Sequence, residues 1–206
     1  MTVKLVWATP KGEELIAYMA RVSNPGNQDN PETAPKLLQY LMKNKHWSPF
    51  EMVNVCMEIK CTRDIGRQIL RHRSFSFQEF SQRYAEALDW ELGEARLQDK
   101  KNRQNSLPTQ DRELERWWQE EQQKVVAQAR HAYGAALNNG IAKEVARKVL
   151  PEGLTMSAMY MNGTLRSWMH YLDIRCDEAT QKEHRDIAVQ CRNVLATEFP
   201  SLFAAV

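Results

Sequence analysis

Residues 52–70 read MVNVCMEIKCTRDIGRQIL. Val53, Val55, Met57 and Ile59 alternate with Asn54, Cys56 and Glu58, the period of a strand with one face on a core. From Asp64 the period lengthens. Ile65 and Ile69 stand one helical turn apart, with Arg67, Gln68 and Arg71 elsewhere around the axis, which predicts a short helix over 64–70.

Towards the N-terminus, Val3 to Thr9 reads as another short strand, stopped by Pro10 and Gly12, and Asn24-Pro25-Gly26-Asn27 is a turn. Leu37, Leu38, Leu41 and Met42 predict a helix from Pro35 that breaks over 44–49. Towards the C-terminus, residues 85–111 are polar and mixed, a variable loop or insertion with Ser106-Leu107-Pro108-Thr109 as its last turn. A long helix over 112–138 follows, with Leu114, Trp117, Trp118, Val125, Ala129, Ala132 and Ala136 at helical spacing and Asn138-Asn139-Gly140 as its end. Ile141 to Leu150 reads as a further helix, Leu154 to Asn162 as strand or helix, and 165–174 and 177–199 as amphipathic helices. Few strands among several helices indicate one α+β domain over residues 1–206, with a small sheet.

Composition narrows the function classes. With 206 residues, 43% hydrophobic and 26% charged, the chain can bury a real core. A net charge of +2 argues against a general nucleic-acid binder, so any basic site is local. Val3 to Ala8 is too short and interrupted for a secretory signal, and no apolar run approaches membrane-helix length. Cys56, Cys61, Cys176 and Cys191 lack CxxC spacing, which argues against a zinc site and a thioredoxin-like motif, so no metal is expected and the thiols read as reduced in a cytoplasmic protein. Neither a GxGxxG nor a Walker loop is present.

The local basic site is residues 67–84, RQILRHRSFSFQEFSQRY. It holds Arg67, Arg71, Arg73, Arg83 and His72, interleaved with Ser74, Ser76 and Ser81. Arg67 and Arg71 are like-charged helical neighbours, stable when an anion or a carboxylate such as Glu79 lies between them. Arginine suits phosphate because its planar fork donates two parallel, charge-assisted hydrogen bonds. Two other readings compete: a solvated basic face, and a nucleic-acid module in which Phe75, Phe77, Phe80 and Tyr84 stack on bases. The strand spacing of Phe75 and Phe77 also fits a core.

Arg71-His72-Arg73, a seven-residue spacer, then Ser81 and Arg83 resembles the signature of the flavin-dependent thymidylate synthases. Ser76 matches a serine in that spacer, and Gln78 stands where the family usually has asparagine. Ala20-Arg21-Val22-Ser23 resembles the family's ARVS element. His46 to Glu51 resembles H-x-S/T-PFEH, with Met52 replacing the last histidine. Glu144 to Arg147 with Leu150-Pro151 resembles EVAR…LP, and Leu165 to Tyr171 with Arg175 resembles R-x-W-x-H-F…R. The likeness spans about residues 18–190 apart from 85–111.

The resemblance implies a fold of the thymidylate synthase-complementing-protein type, a small antiparallel sheet packed with long helices. It implies reductive methylation of dUMP to dTMP, with methylenetetrahydrofolate as carbon donor and NADPH-reduced FAD as hydride source. It places the nucleotide's phosphate and sugar on Gln68, Arg71, Ser81, Arg83 and Arg147, with backbone help around Phe80, Ser81, Gln82 and Arg83, and Glu79 near both nucleotide and flavin. Arg175 matches the catalytic arginine beside the uracil ring, where a guanidinium stabilises negative charge developing at N3 and O4. FAD is implied at Ser48, Arg71, His72, Arg73, Glu79, Arg166 and His170, with one of 162–164, Thr164 foremost, also touching it. His46 is a candidate near the folate pocket. Members of the family are homotetramers with shared active sites, acting on small molecules rather than on nucleic acid or membranes. An inactive member is a further reading, suggested by Gln78 and Met52.

Overall fold

The computed structural model describes residues 1–86 and 89–203. Its centre is a four-stranded sheet of β1 (Thr2–Ala8), β2 (Asn54–Thr62), β6 (Met156–Thr164) and β3 (Ser76–Glu79), in that order and antiparallel throughout. The alternation read in 52–59 sets its inner face. Val55, Met57 and Ile59 of β2 lie opposite Gly163, Met161 and Met159 of β6, and the five side chains are buried. Cys61 continues this face, and burial pushes its thiol up to about 12.

Helices cover that face. They are α1 (Gly12–Ala20), α2 (Ala34–Lys43), α3 (Arg63–Ile69), α6 (Leu165–Arg175) and α7 (Lys182–Glu198). Trp168, Tyr171 and Leu172 of α6 and Ile187, Cys191 and Leu195 of α7 form one core with the strands. The Trp168 indole donates to the Val55 carbonyl at 3.1 Å, which satisfies its one polar group and ties α6 to β2. Phe75 stacks edge-on against Trp168, ring centroids 4.8 Å apart, and lies directly over Gly163. A Cβ at Gly163 would come within 2.4 Å of that ring, so this close approach requires glycine.

Several expectations need correction. Helix α1 was not foreseen, because Pro10 and Gly12 read only as a stop. Residues 106–108 are not a turn. They form β5 (Ser106–Pro108), paired with β4 (Arg96–Gln98) in a separate two-stranded ribbon where Leu97 faces Leu107. Residues 87–88 of that stretch lie outside the described residues. The 141–150 helix is a single turn, α5 (Lys143–Ala146), followed by a 3₁₀ turn at Arg147–Val149. The long helix, α4 (Arg112–Asn138), has the expected bounds, started by Asp111 accepting from the Glu113 and Leu114 amides. The first part of its apolar stripe is turned outwards, however, with Trp117, Trp118 and Val125 exposed, whereas Ala129 is buried. Among the described residues no helix is long and apolar enough to cross a membrane.

Candidate active site

The arginines of 67–84 do not share one anion. Arg67 pairs with Glu152, and Glu79 accepts from Arg63 at 3.4 Å and from Ser157 at 3.2 Å. The expected Glu79 bridge between Arg67 and Arg71 is therefore absent, because β3 carries Glu79 to the β6 edge, opposite Met159. Phe75 is buried and Phe77 packs against the core, which leaves only Phe80 and Tyr84 of the supposed stacking surface exposed.

Three groupings remain. The first forms where the end of α3, the end of α6 and the start of α7 meet. Here Arg175 Nε donates to His72 Nε2 at 2.9 Å, joining residues 103 positions apart. Burial first, then Arg175, His170 and Arg71, holds His72 down to about 4, so its ring is a neutral acceptor at neutral pH. Tyr171 and His184 complete the cluster, with ring centroids 5.0 Å and 6.2 Å from His72. His184 is fully buried, and burial, then Arg175 and His72, pushes it down to about 3. Among the described residues, no carboxylate lies within 4.0 Å of Arg175. Its charge is thus held in place by a neutral ring, with no carboxylate paired to it among the described residues.

The second grouping is a cavity of about 810 Å³ at the start of α6, lined by Thr164, Arg166, His170, Ser74, Trp47 and Glu51 among others. Thr164 accepts from the Ser167 amide at 3.2 Å as the helix cap. Arg166 pairs with Glu51 at 2.6 Å. Of the residues expected around FAD, Thr164, Arg166 and His170 line this space. Ser48 and Arg73 are chain neighbours of lining residues, and Glu79 stands apart on β3. A helix N-terminus, a guanidinium, an imidazole and an indole fit an anionic, aromatic group such as a flavin dinucleotide. Glu51 is the opposing charge, and Arg166 must leave it to meet a phosphate.

The third grouping lies around α5. Arg83 Nε reaches Glu144 at 3.2 Å, and Arg147 Nε donates to the Glu144 carbonyl at 3.3 Å. The Phe80 N–H is committed to the Ala158 carbonyl at 2.8 Å, so it is no free donor, whereas those of Ser81 and Gln82 have no partner among the described residues. No hydrogen bond or ion pair joins this grouping to Gln68 or Arg175 among the described residues. His46, edge-on to Tyr40 with centroids 5.8 Å apart, is the chain neighbour of Trp47 in the lining of the second grouping. Sequence reasoning missed His184, Tyr171 and Gln181 as neighbours of the basic motif. His184 and Tyr171 signalled themselves only as polar rings on the apolar face of a predicted helix, and Gln181 gave no signal.

The family profile described as "Thymidylate synthase complementing protein" matches residues 4–201. A relative from Paramecium bursaria Chlorella virus 1, named "Probable flavin-dependent thymidylate synthase", is 49% identical over 207 residues, covering 100% of this chain and 95% of its own length. A Synechocystis protein named "Flavin-dependent thymidylate synthase" is 53% identical over 194 residues, covering 94% and 89%. Among solved structures, the UMP/dUMP methylase PolB from Streptomyces cacaoi, bound with 5-Br dUMP, superposes with a TM-score of 0.83 at 26% identity, covering 98% of this chain and 92% of that one. The chain belongs to the thymidylate synthase complementing protein family.

Proposed function

We propose that this protein is a flavin-dependent thymidylate synthase that methylates dUMP to dTMP, with FAD as its flavin, methylenetetrahydrofolate as carbon donor and NADPH as reductant. The observation that carries the reading is the 2.9 Å contact between His72 and Arg175, which brings two distant motifs together around a guanidinium with no carboxylate paired to it among the described residues. Arg175 faces the uracil ring and stabilises negative charge at N3 and O4 as C5 becomes nucleophilic. Gln68, Arg71, Ser81, Arg83 and Arg147 bind the phosphate and sugar, with the Ser81 and Gln82 amides, which have no partner among the described residues. A phosphate dianion displaces Glu144 from Arg83, since both partners of that pair are largely exposed and it is worth at most about 1 kcal/mol.

Arg166, His170 and Thr164, with Ser48, Arg71, His72 and Arg73, hold the flavin, which when bound supplies the hydride. Residues 1–206 form one catalytic domain. The α5 grouping and the Arg175 grouping meet across subunits of a homotetramer, which would also cover the exposed stripe of α4. The test is reconstitution. FAD should co-elute with the protein and raise its melting temperature, since ligand at 100 times Kd stabilises by about 2.7 kcal/mol. No co-elution and no thermal shift would remove the cofactor assignment.

A further inference from the structure

Gln68 is held from two sides by the start of α7. Its amide nitrogen donates to Gln181 Oε1 at 2.8 Å, and its amide oxygen lies 3.3 Å from His184 Nδ1. The direction of this chain is fixed at its far end, where Gln181 Nε2 donates to Glu183 Oε2 at 3.1 Å. An ionised carboxylate can only accept. Glu183 stays ionised: burial opposes its charge, but the bond from its own backbone N–H, with Arg96 and Gln181, outweighs that and holds it below the usual range. Gln181 must therefore turn its oxygen to Gln68, Gln68 must turn its oxygen to His184, and His184 must carry its proton on Nδ1.

An imidazole is a costly choice at position 184. The side chain is fully buried, and Nε2 has no hydrogen-bond partner among the described residues. Leucine would fill such a site without that penalty. Among the described residues, the single side-chain hydrogen bond that His184 makes goes to Gln68.

We propose that His184 is a positioning residue for the nucleotide site, locking the Gln68 amide so that its second N–H is presented to an oxygen of the bound nucleotide. The proposal rests on the reading of Gln68 as a nucleotide contact. Without His184 only the Gln181 bond holds the amide, and the flipped orientation, in which an oxygen faces the anionic ligand, becomes easier to reach.

The experiment is dUMP binding and steady-state kinetics on the FAD-loaded protein, with flavin content and melting temperature recorded for each variant. His184→Asn keeps a donor where Nδ1 lies, whereas His184→Gln moves the same amide one methylene further out. His184→Gln should weaken dUMP binding about two- to tenfold, the scale of one neutral hydrogen bond, with the loss in Kd and KM rather than kcat. His184→Asn should recover most of it, and adding His184→Gln to Gln68→Ala should cost nothing more. Equal affinity of His184→Gln and wild type, equal weakness of the Gln and Asn variants, or additive losses in the double variant would each overturn the proposal. Unchanged dUMP binding in Gln68→Ala alone would instead remove Gln68 from the nucleotide site, and the proposal with it. Should His184→Gln not fold, Glu183→Gln reads the same chain from its partly exposed end. There weaker dUMP binding is expected, and unchanged affinity would overturn the proposal.

Discussion

Arg175→Ala removes a guanidinium that is held by His72 at 2.9 Å and faces no carboxylate within 4.0 Å among the described residues. With no carboxylate paired to it among the described residues, its charge can act on the pyrimidine. Two unit charges about 4 Å apart interact by about 4 kcal/mol at an effective dielectric of about 20. Loss of one charge-stabilising donor costs about 2.7–4 kcal/mol of barrier, or about 10²–10³ in rate. Flavin reduction by NADPH requires no charge on the pyrimidine and should largely survive. Arg175→Lys keeps the charge but loses the Nε–H that docks on His72, so it should rescue only partly. The assay measures dTMP formation and NADPH oxidation in parallel at saturating dUMP and FAD, on protein shown to be folded and flavin-loaded. Normal dTMP formation by Arg175→Ala would refute the assignment, and Arg175 would then be a cation serving the α6 C-terminus.

Arg83→Ala and Arg147→Ala should each weaken dUMP binding more than they lower kcat, as loss of a phosphate contact requires. Isothermal titration that finds both unchanged would remove the α5 grouping from the site. Gly163→Ala forces a methyl to within 2.4 Å of Phe75 and should destabilise the fold by about 1–3 kcal/mol in denaturant unfolding, while an unchanged midpoint would show that the ring moves freely. Acid should also destabilise. The folded pKa of His184 is about 3 and that of His72 about 4, below the ordinary value near 6.5, so the unfolded chain alone takes up protons as pH falls below 6.5. Their contribution is complete above about pH 6.5 and is lost as pH falls towards 4 and then 3. At pH 5 the buried His184 ring alone accounts for about 2 kcal/mol, and a melting temperature flat between pH 7 and 5 would contradict its burial as a neutral ring.

The alternation of residues 53–59 was enough to locate the inner face of the sheet, and Arg112 to Asn138 carries its own start and stop signals. Where local signals conflicted, reading failed. Lys11 takes a left-handed φ of 53° just before α1, so a Pro-Lys-Gly stretch that reads as a break is in fact the entry to a helix. The β4–β5 ribbon is held by a Leu97–Leu107 pair and by Arg96 reaching Glu183 at 2.6 Å, neither of which a polar window announces. The stripe on α4 has the right period, yet Trp117, Trp118 and Val125 face out, because periodicity shows that a face is apolar and not what covers it. In the site, the motif residues were legible singly. That His72 docks on Arg175 and that His184 and Gln181 grip Gln68 are outcomes of tertiary packing between α3, α6 and α7, and that Glu79 turns to Arg63 follows from the pairing of β3 with β6.

Turnover itself tests the central claim most directly. Purified protein loaded with FAD is given dUMP, NADPH and methylenetetrahydrofolate labelled with ¹³C in the one-carbon unit, and nucleotides are separated by mass. The account predicts labelled dTMP, with none formed when the flavin is stripped. UMP serves as the competing substrate, because PolB is named for both nucleotides. No labelled dTMP from protein that demonstrably holds FAD, or the same yield without flavin, would contradict it.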